Sequence, residues 1–191
     1  MADTDAVRLA AIIYERGFTL DSFLASVCGR LSAKGLRLGG LIQVMSGLRG
    51  SRAGSIAAID LRSGRQFNIW EGPGARTSDC RLDERSLVDT VPMVLAAIEE
   101  RVDLLVVNRF GRAESHGGGL LTCVSAAVSA GIPVLTAVRE PYLAPWRAYH
   151  GDLAASLGPE LDAVMTWCES AAFAASAQTV LPTEALFPKR T

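Results

Sequence analysis

The sequence predicts an α/β fold: three layers, with a mostly parallel sheet, helices on both of its faces and one inserted β-hairpin. Three observations carry this. Short, unbroken apolar runs rich in branched residues recur along the chain, Leu104 to Val107 being the clearest, and such runs suit strands buried on both faces. Segments with apolar residues at helical spacing alternate with these runs, which is the order of a parallel sheet with crossover helices. Ser55 to Leu61 and Gln66 to Trp70 are two strand-like runs joined by Arg62-Ser63-Gly64-Arg65, and that spacing with a glycine suits a hairpin.

Taken in order, Arg8 to Tyr14 reads as the first strand and Glu15 to Phe18 as a turn. Thr19 is placed to cap a helix, because its hydroxyl can accept from free backbone amides. Leu20, Phe23, Leu24, Val27 and Leu31 follow at helical spacing, and Lys34-Gly35 closes that helix with a cation and then glycine. Leu36 to Val44 is the second strand, completing a βαβ unit. Met45 to Gly54 is rich in glycine and arginine and reads as a surface loop, one that could also close over an anion. Glu71 to Cys80 is a loop marked by Pro73 between glycines. Asp83 precedes a helical pattern carrying Leu87, Val91, Val94, Leu95 and Ile98, with Pro92 expected to kink or divide it. The central strand comes next, then a helix from about Leu120 to Ala130, closed by Gly131. Ile132 to Val138 is another buried strand. Arg139 to Gly151 reads as a loop with a short helix bearing Trp146, Asp152 to Leu157 as a helical turn or two, and Leu161 to Cys168 as a last strand. Ser170 to Gln178 is alanine-rich and helical.

The totals narrow the function. A length of 191 residues suits one domain, 1–191, and no repeat or long linker divides it. Nineteen basic against twenty acidic side chains give a net charge of −1, which argues against a nucleic-acid or membrane-surface binder. Nearly every cation is arginine, lysine occurring only at Lys34 and Lys189. Arginine suits bidentate capture of oxyanions, although high genomic GC content produces the same bias and is the plainer cause. The four cysteines, Cys28, Cys80, Cys123 and Cys168, lie far apart and form neither a disulfide framework nor a zinc pattern. No apolar run reaches membrane-spanning length, and the acidic N-terminus lacks a signal-peptide core. The expected location is cytoplasmic.

Chemistry concentrates between Val102 and Gly119. Ligands of open α/β sheets bind beyond the carboxyl ends of strands. There the apolar run gives way to Asn108, Arg109, Arg112, Glu114, His116 and then Gly117-Gly118-Gly119 before a helix. Exposed amides at a helix start, close approach over glycine and two guanidinium groups would suit an oxyanion or a nucleotide phosphate. The competing reading is structural: Arg109 and Glu114 form an ion pair and the glycines shape a turn. Cys80 beside Arg81 could be reactive, with ordinary packing as the plainer reading. His116 has only His150 as a fellow histidine, so no histidine metal site is expected. Tyr142, Trp146 and Tyr149 could cover a base or simply pack on the sheet.

The order of elements resembles that of small P-loop nucleoside triphosphatases. LSAKGLRLGGLIQ (residues 31–43) looks like their helix end and second strand, and DLLVVNRFGRAE (103–114) stands where they carry a Walker B strand. More closely, YERGF, GLRLGGLIQ, DCRLD and LLVVNRFGRAESHGGG together resemble an uncharacterised bacterial family associated with gene neighbourhoods for molybdate transport. The resemblance runs from about Ala10 to Ala148, and NRFGRAE is its specific part. It implies a P-loop-like fold and a small anion or nucleotide as ligand. It also implies a molybdate-transport or molybdoenzyme component as partner, in molybdenum uptake or use.

The departures weigh against hydrolysis. A phosphate-cradling loop has the form GxxxxGK followed by Ser or Thr. Here Tyr14-Glu15-Arg16-Gly17-Phe18-Thr19 holds one glycine and no lysine, and Asn108 replaces the Walker B acid, a poor anchor for Mg²⁺. The reading that follows is a non-hydrolytic binder of phosphate, molybdate or a nucleotide phosphate, through Arg16, Gly17, Thr19, Asn108, Arg109, Arg112, Glu114, Gly117, Gly118 and Gly119. The alternative is a divergent nucleotide hydrolase or phosphotransferase with Glu114 as base and Mg²⁺ as cofactor. A third reading is an adaptor whose site is vestigial. No other cofactor or metal is implied.

Overall fold

The computed structural model describes residues 7–46, 55–68 and 90–179. Among these residues seven strands form one sheet: β1 (Leu9–Ile13), β2 (Leu38–Ser46), β3 (Ser55–Asp60), β4 (Gln66–Asn68), β5 (Leu104–Val107), β6 (Val134–Val138) and β7 (Ala154–Leu157). Their spatial order is β4-β3-β2-β5-β6-β1-β7. The five from β2 to β7 pair in parallel, and β3 and β4 add an antiparallel edge. The helices are α1 (Leu20–Ala33), α2 (Val91–Glu99), α3 (Arg112–Ser115), α4 (Leu121–Ser129), α5 (Leu143–His150) and α6 (Leu161–Thr179).

Side chains on the central strands alternate between two cores, which explains their unbroken apolar runs. Leu9 and Ala11 of β1, Leu105 and Val107 of β5, and Val134 and Val138 of β6 face one core, with Val94 of α2, Cys123 of α4 and Trp146 of α5. Ala10 and Ile12, Leu104 and Val106, and Leu135 and Ala137 face the other, with Leu24 and Leu31 of α1 and Val164 and Cys168 of α6. Helices therefore cover both faces, as the sequence implies. Within β2, Gly40 has φ +97°, and a Cβ there would lie 2.0 Å from the Val106 carbonyl oxygen. Only glycine lets β2 lie this close to β5.

The end of the chain differs from the sequence expectation. Ala154–Leu157, read as helical, is the edge strand β7, paired along β1 from Leu9↔Ala154 to Ile12↔Leu157. Leu161 to Cys168, read as a strand, begins the 19-residue helix α6. Val164, Met165, Cys168, Ala171 and Ala172 are its buried positions, and their spacing of three and four is helical. The apolar density of the segment hid that period. Pro92 occupies the first turn of α2 as described, where its missing N–H is tolerated, so it does not kink the described helix. The hairpin is present, and the buried Asp60 closes its turn by accepting from the Ser63 amide (3.1 Å) and hydroxyl (2.5 Å). Met45 and Ser46, read as the start of a surface loop, instead extend β2 through their pairing with Ile56 and Ser55. Residues 47–54, the Glu71 to Cys80 loop, Asp83 and Leu87 lie outside the described residues.

Three helices stop in the same way. The amides of Gly35 and Leu36 bond back to Ser32 and Leu31 after α1. Those of Arg101 and Val102 bond to Ile98 and Ala97 after α2, and those of Gly131 and Ile132 to Val128 and Ala127 after α4. This is the Schellman arrangement, whose left-handed position favours glycine. Gly35 (φ +87°) and Gly131 (φ +78°) obey that preference, whereas Arg101 takes it with φ +59°, at about 1 kcal/mol or more.

Candidate functional site

A hollow of about 350 Å³ opens at the carboxyl ends of β1, β5 and β6. Its walls are the turn from Tyr14 to Thr19, the first residues of α1, and the side chains of Arg109 and Arg139. Parallel strands deliver this geometry: β1 and β6 run side by side in register to Ile13↔Val138, and the Tyr14 amide continues the ladder to the Val138 oxygen at 3.1 Å. The chain then turns through Gly17 (φ +97°) into α1. Thr19 holds the N-cap position, but its side chain makes no capping bond, so the start of α1 faces the hollow without a side-chain acceptor of its own. Tyr14 and Phe18, ring centroids 6.0 Å apart, supply an apolar side.

Beneath this lies a cluster from three elements. Asn108, only 6% exposed, accepts from the Gln43 amide at 3.0 Å and donates to Asp21 at 3.2 Å. Arg109 Nη2 donates to the same Asp21 oxygen at 2.8 Å, while its buried Nε has no partner. An amide at position 108 is chemically apt: it accepts with one atom and donates with the other. A carboxylate there could not donate and would face Asp21 with like charge. The same arrangement fits Mg²⁺ poorly, because Asp21 is already occupied by a guanidinium and both faces of Asn108 are bonded. Among the described residues, no group of three or more His, Cys, Asp or Glu side chains is arranged to hold a metal.

The glycine run is a separate structure. Glu114, 7% exposed, accepts from the Gly111 amide through Oε2 (3.0 Å) and from the Leu120 amide through Oε1 (3.2 Å). Gly117 and Gly118 donate to the Glu114 and Ala113 carbonyls (3.0 and 2.9 Å). Gly119 (φ +59°) makes room for the carboxylate, since a Cβ there would lie 2.1 Å from Oε1. The anion expected at the start of α4 is thus the chain's own Glu114.

Of the residues singled out in the sequence, Arg16, Gly17, Thr19 and Arg109 line the hollow. Asn108 lies buried beside it, bonded to the lining residue Asp21. Arg112, Glu114, Gly117, Gly118 and Gly119 do not line it, because α3 turns the chain back toward the Glu114 carboxylate. Arg109 pairs with Asp21 rather than Glu114. Asp21 and Arg139 were not singled out. Asp21 carried a faint signal as an acid in the first turn of a helix, and Arg139 as an arginine directly after a buried strand. His116 is exposed and donates through Nδ1 to the Arg112 carbonyl at 2.7 Å. Trp146 and Tyr149 pack against Phe110 at 5.2 and 6.0 Å between centroids, so they build the core rather than cover the hollow. Burial pushes the thiols of Cys28 and Cys168 up to about 12 and that of Cys123 to about 11, which suits packing and not reactivity. Cys80 lies outside the described residues.

The fold is an α/β architecture also found in a nucleoside triphosphatase. The structure aligns with the solution structure of a human cancer-related nucleoside triphosphatase at a TM-score of 0.58. That alignment covers 92% of this chain and 100% of the other at 14% identity, a likeness of fold. Residues 9–167 match the family described as protein of unknown function (DUF2478), and the chain belongs to that family. It is also 37% identical over 168 residues to the molybdenum import ATP-binding protein ModC 2 of Bradyrhizobium diazoefficiens. This match covers 87% of the chain but 18% of that relative, so the chain spans about a fifth of the longer protein. Among the described residues, no helix is long and apolar enough to cross a membrane.

Proposed function

We propose that this protein binds the phosphate groups of a nucleotide, without hydrolysing them, in the hollow at the carboxyl ends of β1 and β6. The observation that carries this is the convergence of Arg16, Arg109 and Arg139 on the uncapped start of α1. Guanidinium groups and a helix start are the two standard protein devices for holding phosphate oxygens. Tyr14 and Phe18 offer a surface for a base beside them. Asp21 is held by Arg109, and Glu114 is buried against two amides, so neither is free to accept a proton from water or to anchor Mg²⁺. Among the described residues, Glu15 is the other carboxylate lining the hollow, exposed at its rim, and the three arginines outnumber it. The name of the ModC 2 relative makes molybdate a second oxyanion to consider, with a role beside molybdenum import as the wider proposal.

Isothermal titration with ATP, GTP, phosphate and molybdate, with and without Mg²⁺, tests the reading. The expected result is saturable ATP or GTP binding whose affinity changes little with Mg²⁺, and no phosphate release. Heat from molybdate alone would shift the ligand to that oxyanion. Mg²⁺-dependent phosphate release that disappears in Glu114→Gln would instead support the hydrolase alternative, and no heat from any of the four would defeat the binding proposal.

A further inference from the structure

The opposite end of the sheet, at the amino ends of the parallel strands, holds a larger recess, of about 670 Å³. Arg8, Arg37 and Arg101 reach it from the residues just before β1, β2 and β5, and Ala172 and Ser176 of α6 form part of its wall. Asp103 is the one carboxylate among the described lining residues. It is already matched: Arg37 meets it through Nη2 (2.7 Å), Nε (3.3 Å) and its backbone amide (2.8 Å). Burial alone would raise the Asp103 carboxyl, but these bonds outweigh it and hold it below its ordinary range. Among the described residues, the charges of Arg8 and Arg101 therefore face the recess without a carboxylate opposite them.

Arg8 is not placed as an ordinary surface cation, and Arg101, although exposed, holds an unusual backbone conformation. Arg8 is half-buried, and its guanidinium lies over Gly131, where an added Cβ would come within 2.7 Å of Nη1. It makes no side-chain hydrogen bond or ion pair among the described residues. Arg101 sits at the left-handed stop of α2, the position that α1 and α4 give to glycine. Among the described residues, its one side-chain bond is a long contact from Nη1 to the Ala130 carbonyl, at 3.3 Å. Attraction to the carboxyl ends of α2 and α4 accounts for a cation near this place. It does not account for a backbone conformation that glycine would adopt without strain, nor for Arg8.

We infer that the recess is a second anion site, separate from the hollow, which takes a small molecule bearing two or more phosphate or carboxylate charges between Arg8 and Arg101. Two forked guanidiniums suit such a ligand, because each can meet a pair of oxygens. Arg37 is held by Asp103 as a fixed wall.

Pyrophosphate and citrate, titrated calorimetrically into the wild type and into Arg8→Ala, Arg101→Gly and Arg109→Ala, test this and distinguish the two chemistries. At least one probe is expected to bind with submillimolar affinity at a site that Arg8→Ala and Arg101→Gly each weaken about tenfold or more, as for loss of one charge-assisted contact. Arg109→Ala should leave that site within about twofold. Arg101→Gly should at the same time raise Tm by about 2–4 °C by relieving the backbone, so lost binding cannot be lost folding. The inference is overturned if both arginine variants bind both probes within about twofold of wild type, if neither probe binds, or if Arg101→Gly gains stability with no loss of affinity. An effect of Arg109→Ala alone would speak for the carboxyl-end hollow and against the recess.

Discussion

The starts of α1 and α4 face toward the carboxyl-end side of the same sheet, yet one is closed and the other open. At α4 the Leu120 amide is met by the Glu114 carboxylate, and Gly119 supplies the space for it. At α1 Thr19 makes no side-chain cap, and a 350 Å³ hollow lined by three arginines, with Glu15 and Asp21, lies in front of it. A helix start attracts negative charge whatever its source. Where the chain's own carboxylate meets the helix amides, as at α4, the site is structural; at α1 the first-turn Asp21 is engaged by Asn108 and Arg109 instead, and the site is available to a ligand. The glycine run, the most conspicuous motif in the sequence, thus belongs to the closed end.

The contrast can be broken most severely at Gly119. Gly119→Ala should destabilise the fold by about 3 kcal/mol or more, since it combines an unfavourable backbone conformation with overlap on Glu114. Urea denaturation reads this directly. Glu114→Ala comes next: two amides lose their acceptor, for a loss of about 2–4 kcal/mol, whereas ATP affinity should stay within about twofold. A parallel fall in affinity would mean that the two helix starts act together. Arg109→Ala should do the opposite, weakening ATP binding about tenfold or more with a stability change below about 1 kcal/mol. The smallest effect is expected from Asp21→Asn. It removes the carboxylate that competes with a ligand for Arg109, so ATP affinity should rise about threefold while the partly exposed ion pair contributes under about 1 kcal/mol. Weaker binding in that variant would recast Asp21 as an orienting group for Arg109 rather than a competitor.

Much of the architecture was legible because it rests on local patterns. Leu104 to Val107 is apolar without interruption since each side of β5 meets its own core, and Gly131 ends α4 for a reason contained in a few residues. The alternation of β7 and α6 was misread where that local signal weakens. Ala154–Leu157 is a strand through its pairing with β1, not through its composition, and the apolar content of Leu161 to Cys168 suits either structure. The site was half legible. The turn before α1 and the residues after β5 were recognisable as strand ends, and Arg16, Gly17, Thr19 and Arg109 do meet at the hollow. The Asp21–Arg109 pair joins residues 88 positions apart, a distance at which no spacing rule operates.

From its sequence alone this chain declares which segments are buried, which turn, and where polar chemistry follows a buried strand, because those properties depend on neighbours within a helical turn or a strand pair. Tertiary structure alone decided which polar groups meet. Whether an arginine faces a carboxylate, as Arg109 and Arg37 do, or an open recess, as Arg8 and Arg101 do, depends on strands and helices brought together from distant parts of the chain. Free charge is a property of that assembly and not of any stretch within it.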